Sequence, residues 1–189
     1  MTKLNHPVEK LIQTILYKGV EFEVVERPDV IWVGCIAYAD DNTNPPFSDD
    51  DMTLLERYQA LLKIPKQDLI NPDWSAALSV NYGCADKPCG IMFAQETYSP
   101  KQDAEYDVFM QPGGLWLRLL NDTNAAALLG KGNPAPYEYY AESQIMQAVA
   151  KAHGYMANPN IYVQVEYSCH VEYDTPPHRN YAYIPIVRV

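Results

Sequence analysis

Two stretches of this sequence repeat one another. "FEVVERPDVIWVGCI", residues 22–36, aligns without a gap to "YDVFMQPGGLWLRLL", residues 106–120. Val24 meets Val108, Pro28 meets Pro112 and Trp32 meets Trp116, while Phe22 answers Tyr106, Glu23 answers Asp107 and Ile31 answers Leu115. At nearly the same offset, "VNYGC" at 80–84 answers "VEYSC" at 165–169. A repeat of this kind says that one supersecondary unit is used twice and that each copy must bury its apolar face against the other. The 189 residues therefore suit one domain, 1–189, made of two intertwined halves, 21–98 and 105–189.

Each half reads as strand, strand, helix, strand, strand, a pseudo-symmetric α+β plan. Alternation and β-branched content place strands at 22–27, 30–38, 76–83 and 90–97, and again at 106–111, 115–120, 161–169 and 181–187. Pro28 and the "PGG" at 112–114 are expected to turn tight hairpins. "DKPCG" turns the last hairpin of the first half and the longer "DTPPHRN" that of the second; the loop 121–137 replaces the shorter Pro-rich link 41–47. The first helix starts at Ser48, whose following aspartates suit the helix dipole, presents Leu54, Leu55, Tyr58, Leu61 and Leu62, and stops at Pro65. The second presents Ile145, Met146, Val149 and Ala152 and stops at His153 and Gly154. Ahead of both halves, Val8, Leu11, Ile12, Ile15 and Leu16 share one helical face between Pro7 and Gly19, which predicts a leading amphipathic helix over 7–18.

Composition narrows the function. Hydrophobic residues make up 48% and the net charge is -10, so the chain has a core and repels phosphate backbones. No apolar run is long enough to span a membrane, and the N-terminus lacks the apolar core of a signal peptide, so a cytoplasmic protein is expected. Cys35, Cys84, Cys89 and Cys169 are then reduced thiols. Cys84 and Cys89 form one loose pair, which is not zinc-ligand spacing, so neither a metal nor another cofactor is expected.

Strand alternation assigns faces. With the helices on one side of the sheet, a groove between the halves lies on the other, the usual place for a small ligand. In "IYVQVEYSC" the residues Val163, Val165, Tyr167 and Cys169 are expected under the helices, with Tyr162, Gln164 and Glu166 turned to the groove. In the first half Val80, Tyr82 and Cys84 pack inward and Asn81 faces the groove. Leu115, Leu117 and Leu119 pack under helices while Trp116 and Arg118 face outward, with Trp32 in the matching place. Tyr181 and Tyr183 alternate with Ala182, Ile184 and Ile186 and join the groove. "PYEYYAES", with Tyr137 and Tyr140, is a groove lip or the start of the helix. Fifteen tyrosines and three tryptophans make stacking and cation–π recognition of flat or cationic ligands the natural use of such a groove. The same residues suit plainer roles: Trp32 and Trp116 in a core, Glu166 on a wet surface, His170 and His178 in surface loops, His153 as a helix-end cation.

The duplicated plan, "MQPGGLWLRLL" entering the second half and "VEYSC" before a closing "YAYIPI" resemble the GyrI-like family, the effector-binding domains found at the C-termini of AraC- and MerR-type transcription regulators. The resemblance covers roughly residues 20 to 189. It implies two fused SHS2-like repeats with a ligand groove between them and Glu166 as the central polar contact. It also implies drug or toxin binding, with some stand-alone relatives hydrolysing the cyclopropane of DNA-alkylating natural products. About 20 residues precede the first strand, too few for a helix-turn-helix, so a stand-alone member that does not itself bind DNA is expected.

Three functions follow. In the first, the chain binds flat, lipophilic and cationic compounds through Trp32, Asn81, Trp116, Arg118, Tyr137, Tyr140, Tyr162, Gln164, Glu166 and Tyr183. In the second it is a cofactor-free hydrolase in which Glu166 is the general base and Tyr162 or Tyr183 holds the developing oxyanion. In the third its acidic surface occupies a DNA-binding protein partner.

Overall fold

Alternating polar and apolar residues dominate this chain, and the computed structural model accordingly is mostly antiparallel sheet; it describes residues 9–38, 49–121, 125, 128–129, 139–169 and 180–189. Among these, ten strands form one sheet: β1 (Lys10–Tyr17), β2 (Val20–Arg27), β3 (Val30–Tyr38), β4 (Trp74–Val80), β5 (Gly90–Thr97), β6 (Asp107–Gln111), β7 (Gly114–Asn121), β8 (Tyr155–Ala157), β9 (Val163–Cys169) and β10 (Asn180–Arg188). Helices α1 (Asp49–Leu61) and α2 (Tyr139–Ala152) pack against this sheet. This is the α+β class expected.

The hydrogen-bonded order is β1-β2-β7-β10-β9-β4-β5-β3-β6, with β8 added to β10. Pro28 and Pro112 do not turn hairpins, because β2 pairs with β7 and β3 with β6. Each proline instead sits in a two-residue link that lets one long strand bend and continue. The register carries through: Arg27 faces Gly114 on one side of the links and Val30 faces Gln111 on the other. The long strands β2–β3 and β6–β7 therefore stay paired along their length, and the sheet curls until it meets itself. Proline is tolerated here because a link has no ladder hydrogen bond to give up. At the crossing, the Gly113 amide donates to Asp29 Oδ1 at 2.7 Å.

The closed sheet has two faces, both apolar. Inside lie Val25, Val30, Trp32, Trp74, Ala76, Leu78, Val80, Met92, Ala94, Trp116, Val163, Val165, Tyr167 and Tyr183 in one cluster. Outside, α2 covers Phe22, Val24, Leu117, Leu119, Ala182, Ile184 and Ile186 with Met146, Val149 and Ala150. The first helix, α1, covers Cys35 and Ile91 with Leu54 and Tyr58. The spacing of these helix contacts, at i, i+3 and i+4, is what seats one stripe of each helix on a pleated sheet. The end of α2 is followed by Gly154 in the left-handed region at φ 81°, the stop expected there.

The leading helix over 7–18 is not formed. Residues 10–17 are β1, an edge strand paired to β2, and Gly19 with Lys18 makes the two-residue hairpin turn, at φ 79° and 50°. Only Ile15 of β1 is fully buried, while Leu11 and Leu16 face solvent. The same residues fit a helical stripe, but β-branched Ile12, Thr14 and Ile15 beside the free outer edge of the β2–β7 pair favour the strand. "VNYGC" likewise departs from "VEYSC": β4 ends at Val80, and Asn81 through Cys84 form a turn. The cap at Ser48, residues 174–179 of "DTPPHRN" and nearly all of the 121–137 loop lie outside the described residues.

The crossing of the two links leaves no room for a side chain at 113. A Cβ there would lie 2.7 Å from the Arg27 carbonyl oxygen and 2.8 Å from the Asp29 nitrogen. Gly113→Ala should destabilise by about 2–3 kcal/mol through backbone displacement. A thermal melt should show Tm lower by roughly 5–10 °C; an unchanged Tm would contradict the closed crossing.

Candidate functional site

The interior holds a charge. Arg27, the last residue of β2, points into the closed sheet and is 2% exposed. A guanidinium removed from water needs its charge matched and its N–H groups engaged. Its Nη2 donates to Glu96 Oε1 at 2.8 Å and to the Tyr167 hydroxyl at 2.6 Å. Its Nε lies 2.8 Å from Glu9 Oε1. The Tyr167 hydroxyl in turn donates to Glu96, and Asn71 Nδ2 donates to Glu96 Oε2 at 3.1 Å. Three rings surround the cation: its carbon lies 4.5 Å from the Tyr183 ring centre and 5.7 Å from those of Trp116 and Tyr167.

A second arginine extends this group toward solvent. Arg118 is directly across from Tyr183 on neighbouring strands, and its Nη1 donates to the Tyr183 hydroxyl at 3.3 Å. The same nitrogen lies 2.7 Å from Glu9 Oε2, so the Glu9 carboxylate bridges the two arginines. Arg118 Nε also donates to Glu23 at 2.7 Å. Burial pushes the Glu9 and Glu96 carboxyls above the usual range, against the lowering effect of Arg27 on both. Burial likewise raises the Tyr167 and Tyr183 hydroxyls, which Arg27 opposes, so both remain neutral donors at neutral pH.

Trp32 and Trp116 lie on the interior face, away from the helices, as strand alternation predicts, and both are completely buried. Trp32 Nε1 donates to Gln111 at 2.9 Å and its ring is 5.3 Å from Tyr167. Arg118 and Tyr183 share that face. Trp74, which the sequence reading passed over, joins them and packs 5.5 Å from Tyr181. All three tryptophans of the chain thus belong to the interior.

Glu166 does not face this interior. Its partners across the ladder are Ala77 and Ala182, and Ala182 packs in the cluster under α2. Glu166 is buried on the outer, helix-side face, and Tyr167 and Val165 take the inner one. The expected faces of "VEYSC" are therefore inverted: both faces of β9 are buried, so polarity does not mark the side turned away from the helices. Gln164 shares the outer face. Tyr162 precedes β9 and is 40% exposed, away from the cluster. Asn81, with φ 59°, caps its turn by donating to the Pro88 carbonyl at 3.0 Å. Tyr137 and the side chain of Tyr140 lie outside the described residues. The polar centre that was missed, Arg27 with Glu96 and Glu9, had one visible signal: an arginine at the end of an apolar strand beside the repeated proline.

On the outer face a different cation is half-buried. Lys66 Nζ is 2.9 Å from Gln95 Oε1 and 4.9 and 5.1 Å from the rings of Tyr58 and Tyr106. Desolvation lowers its amine to about 8. Among the described residues there is no group of three His, Cys, Asp or Glu that could hold a metal, and no helix is long and apolar enough to cross a membrane.

No protein-family profile and no curated protein matches the sequence. Solved structures do match the fold. The C-terminal domain of EcmrR superposes with a TM-score of 0.59 at 15% identity, over 90% of this chain and 99% of that domain. SAV2435, solved bound to tetraphenylphosphonium, gives 0.56 at 7% identity over 88% of this chain and 93% of its own. The integron cassette protein VCH_CASS2, from the mobile metagenome of Vibrio cholerae, gives 0.51 at 11% identity over 88% and 95%. At these identities the likeness is one of fold.

Two outcomes follow from the buried charges. Glu96→Gln and Arg27→Met should each destabilise by about 3–5 kcal/mol, because each leaves the other side of a buried pair uncompensated. The double variant should cost less than the sum by at least about 1.5 kcal/mol in denaturant melts; strict additivity would refute the coupling. For Lys66, the folded amine titrates near 8 and the unfolded one near 10.5, so between those pH values the unfolded chain binds more protons. Stability contributed by this group should rise from pH 8 to 10.5. Lys66→Met should remove that rise, seen as a smaller Tm difference between pH 8 and pH 10 than in the wild type.

Proposed function

We propose that this chain is a small-molecule effector-binding domain of the GyrI-like kind, which takes flat, aromatic, lipophilic compounds against the inner face of its closed sheet. The observation that carries this reading is the concentration of Trp32, Trp74, Trp116, Tyr167, Tyr181 and Tyr183 on one face together with a charged centre. A core needs apolar bulk, but it does not need a buried ion group, which costs more than a well-packed hydrophobic replacement. Aromatic faces beside polar groups are the composition of ligand sites, where stacking gives affinity and a few polar atoms give orientation. The likeness in fold to SAV2435, which was solved with tetraphenylphosphonium, supports the same reading. Tyr183 and Trp116 are the residues assigned to stacking, and Arg118 to the outer edge of the site. The hydrolytic alternative depended on Glu166 as a base in the groove, and its place on the outer face removes that support.

Because all three tryptophans lie on the inner face, their fluorescence reports on it directly. Titration with a panel of neutral and cationic polyaromatic compounds should quench that emission saturably and raise Tm by several degrees. Tyr183→Ala should weaken binding at least tenfold, a loss of about 1.4 kcal/mol or more. A panel that neither quenches nor stabilises the folded protein would overturn the reading.

A further inference from the structure

The elements that recognise an organic cation, aromatic faces and carboxylates, are all present inside the sheet, and all are already used by the chain itself. The Arg27 guanidinium lies over Tyr183, Trp116 and Tyr167 and within 2.8 Å of both Glu96 and Glu9. A second cation brought to those rings would meet Arg27 at close range in a poorly screened interior, where like charges repel strongly. Glu9 and Glu96 equally oppose an anion, since they lie beside the same guanidinium.

What the interior does offer is donors. Among the described residues, Trp74 Nε1, Trp116 Nε1, Gln111 Nε2 and Arg27 Nη1 are buried N–H groups without an acceptor. Gln111 Oε1 already accepts from Trp32, and the Glu96 carboxylate from Arg27, Tyr167 and Asn71. A buried donor left without a partner is costly, and a ligand that supplies the acceptor relieves that cost on binding. The Arg27 guanidinium carbon lies 5.7 Å from the Trp116 ring centre, so these two unpartnered donors belong to the same part of the interior.

Resting on the binding function proposed above, we infer that the ligand of this chain is a neutral aromatic compound carrying a strong hydrogen-bond acceptor, such as a carbonyl or phosphoryl oxygen, received by Trp116 and Arg27. Arg27 acts as a resident cation that turns a cation-type cage into one selective for neutral acceptors.

A matched pair of probes tests it: tetraphenylphosphonium, a cation, and triphenylphosphine oxide, which is neutral, similarly aromatic and bears a phosphoryl oxygen. Calorimetric titration of the wild-type protein should show the oxide binding at least tenfold more tightly. Trp116→Phe keeps an aromatic ring and deletes the donor, and should reduce that preference about fivefold or more. Arg27→Met frees the rings and carboxylates and should raise phosphonium affinity at least tenfold. If that variant does not fold, wild type and Trp116→Phe decide the matter. Equal or tighter binding of the phosphonium by the wild type, or an unchanged preference in Trp116→Phe, overturns the inference. So does failure of both probes when other aromatic compounds still bind, a result that leaves the binding function standing. Failure of every aromatic compound removes both.

Discussion

One guanidinium organises this protein. Arg27 ends a strand, is buried, and must be neutralised from within. Its partners come from distant parts of the chain: Glu9 from just before β1, Glu96 from β5, Tyr167 from β9 and Tyr183 from β10. No two of these elements need meet for local reasons. They meet because the sheet closes, and the closed sheet tolerates its interior charge because these groups converge on it. Removing water also strengthens each of these contacts, so geometry that would be weak on a surface becomes decisive here.

Closure depends on a modest device. Two proline-bearing links let β2 run into β3 and β6 into β7 without changing register. Each long strand bends at the same level as its partner, and Gly113 lets the two backbones pass within van der Waals range of one another. The outcome is a sheet with an inner aromatic face and an outer aliphatic face under two helices. Placing the inner face away from solvent is what makes tyrosine hydroxyls and indole N–H groups matter, since each must find a partner or remain a donor in search of one.

Much of the secondary structure was legible. The strands 30–38 and 90–97 appear with those bounds, and the others differ by a few residues at their ends. Alternation in "LWLRLL" and "YAYIPI" also read correctly, since leucine and isoleucine there point to a helix and the aromatics do not. It failed where both faces of a strand are buried. In β9 the residues Gln164 and Glu166 are as enclosed as Val163 and Val165, so polarity no longer marks the exposed side. The leading segment failed for a different reason: spacings of three and four residues suit a helical stripe, and only the unpaired edge of β2 selects the strand.

By itself the sequence determined the α+β class, that the helices cover one side of the sheet, and that Trp32, Trp116, Tyr181 and Tyr183 face the other. Those properties follow from local alternation and residue type, which act over a few residues. Only the tertiary structure decided which strands pair, that the prolines are bends and not hairpins, and that Glu166 lies outside while Arg27 lies inside. Pairing partners are set by the closing of the whole sheet, and a buried charge is defined by neighbours that no local pattern can bring together.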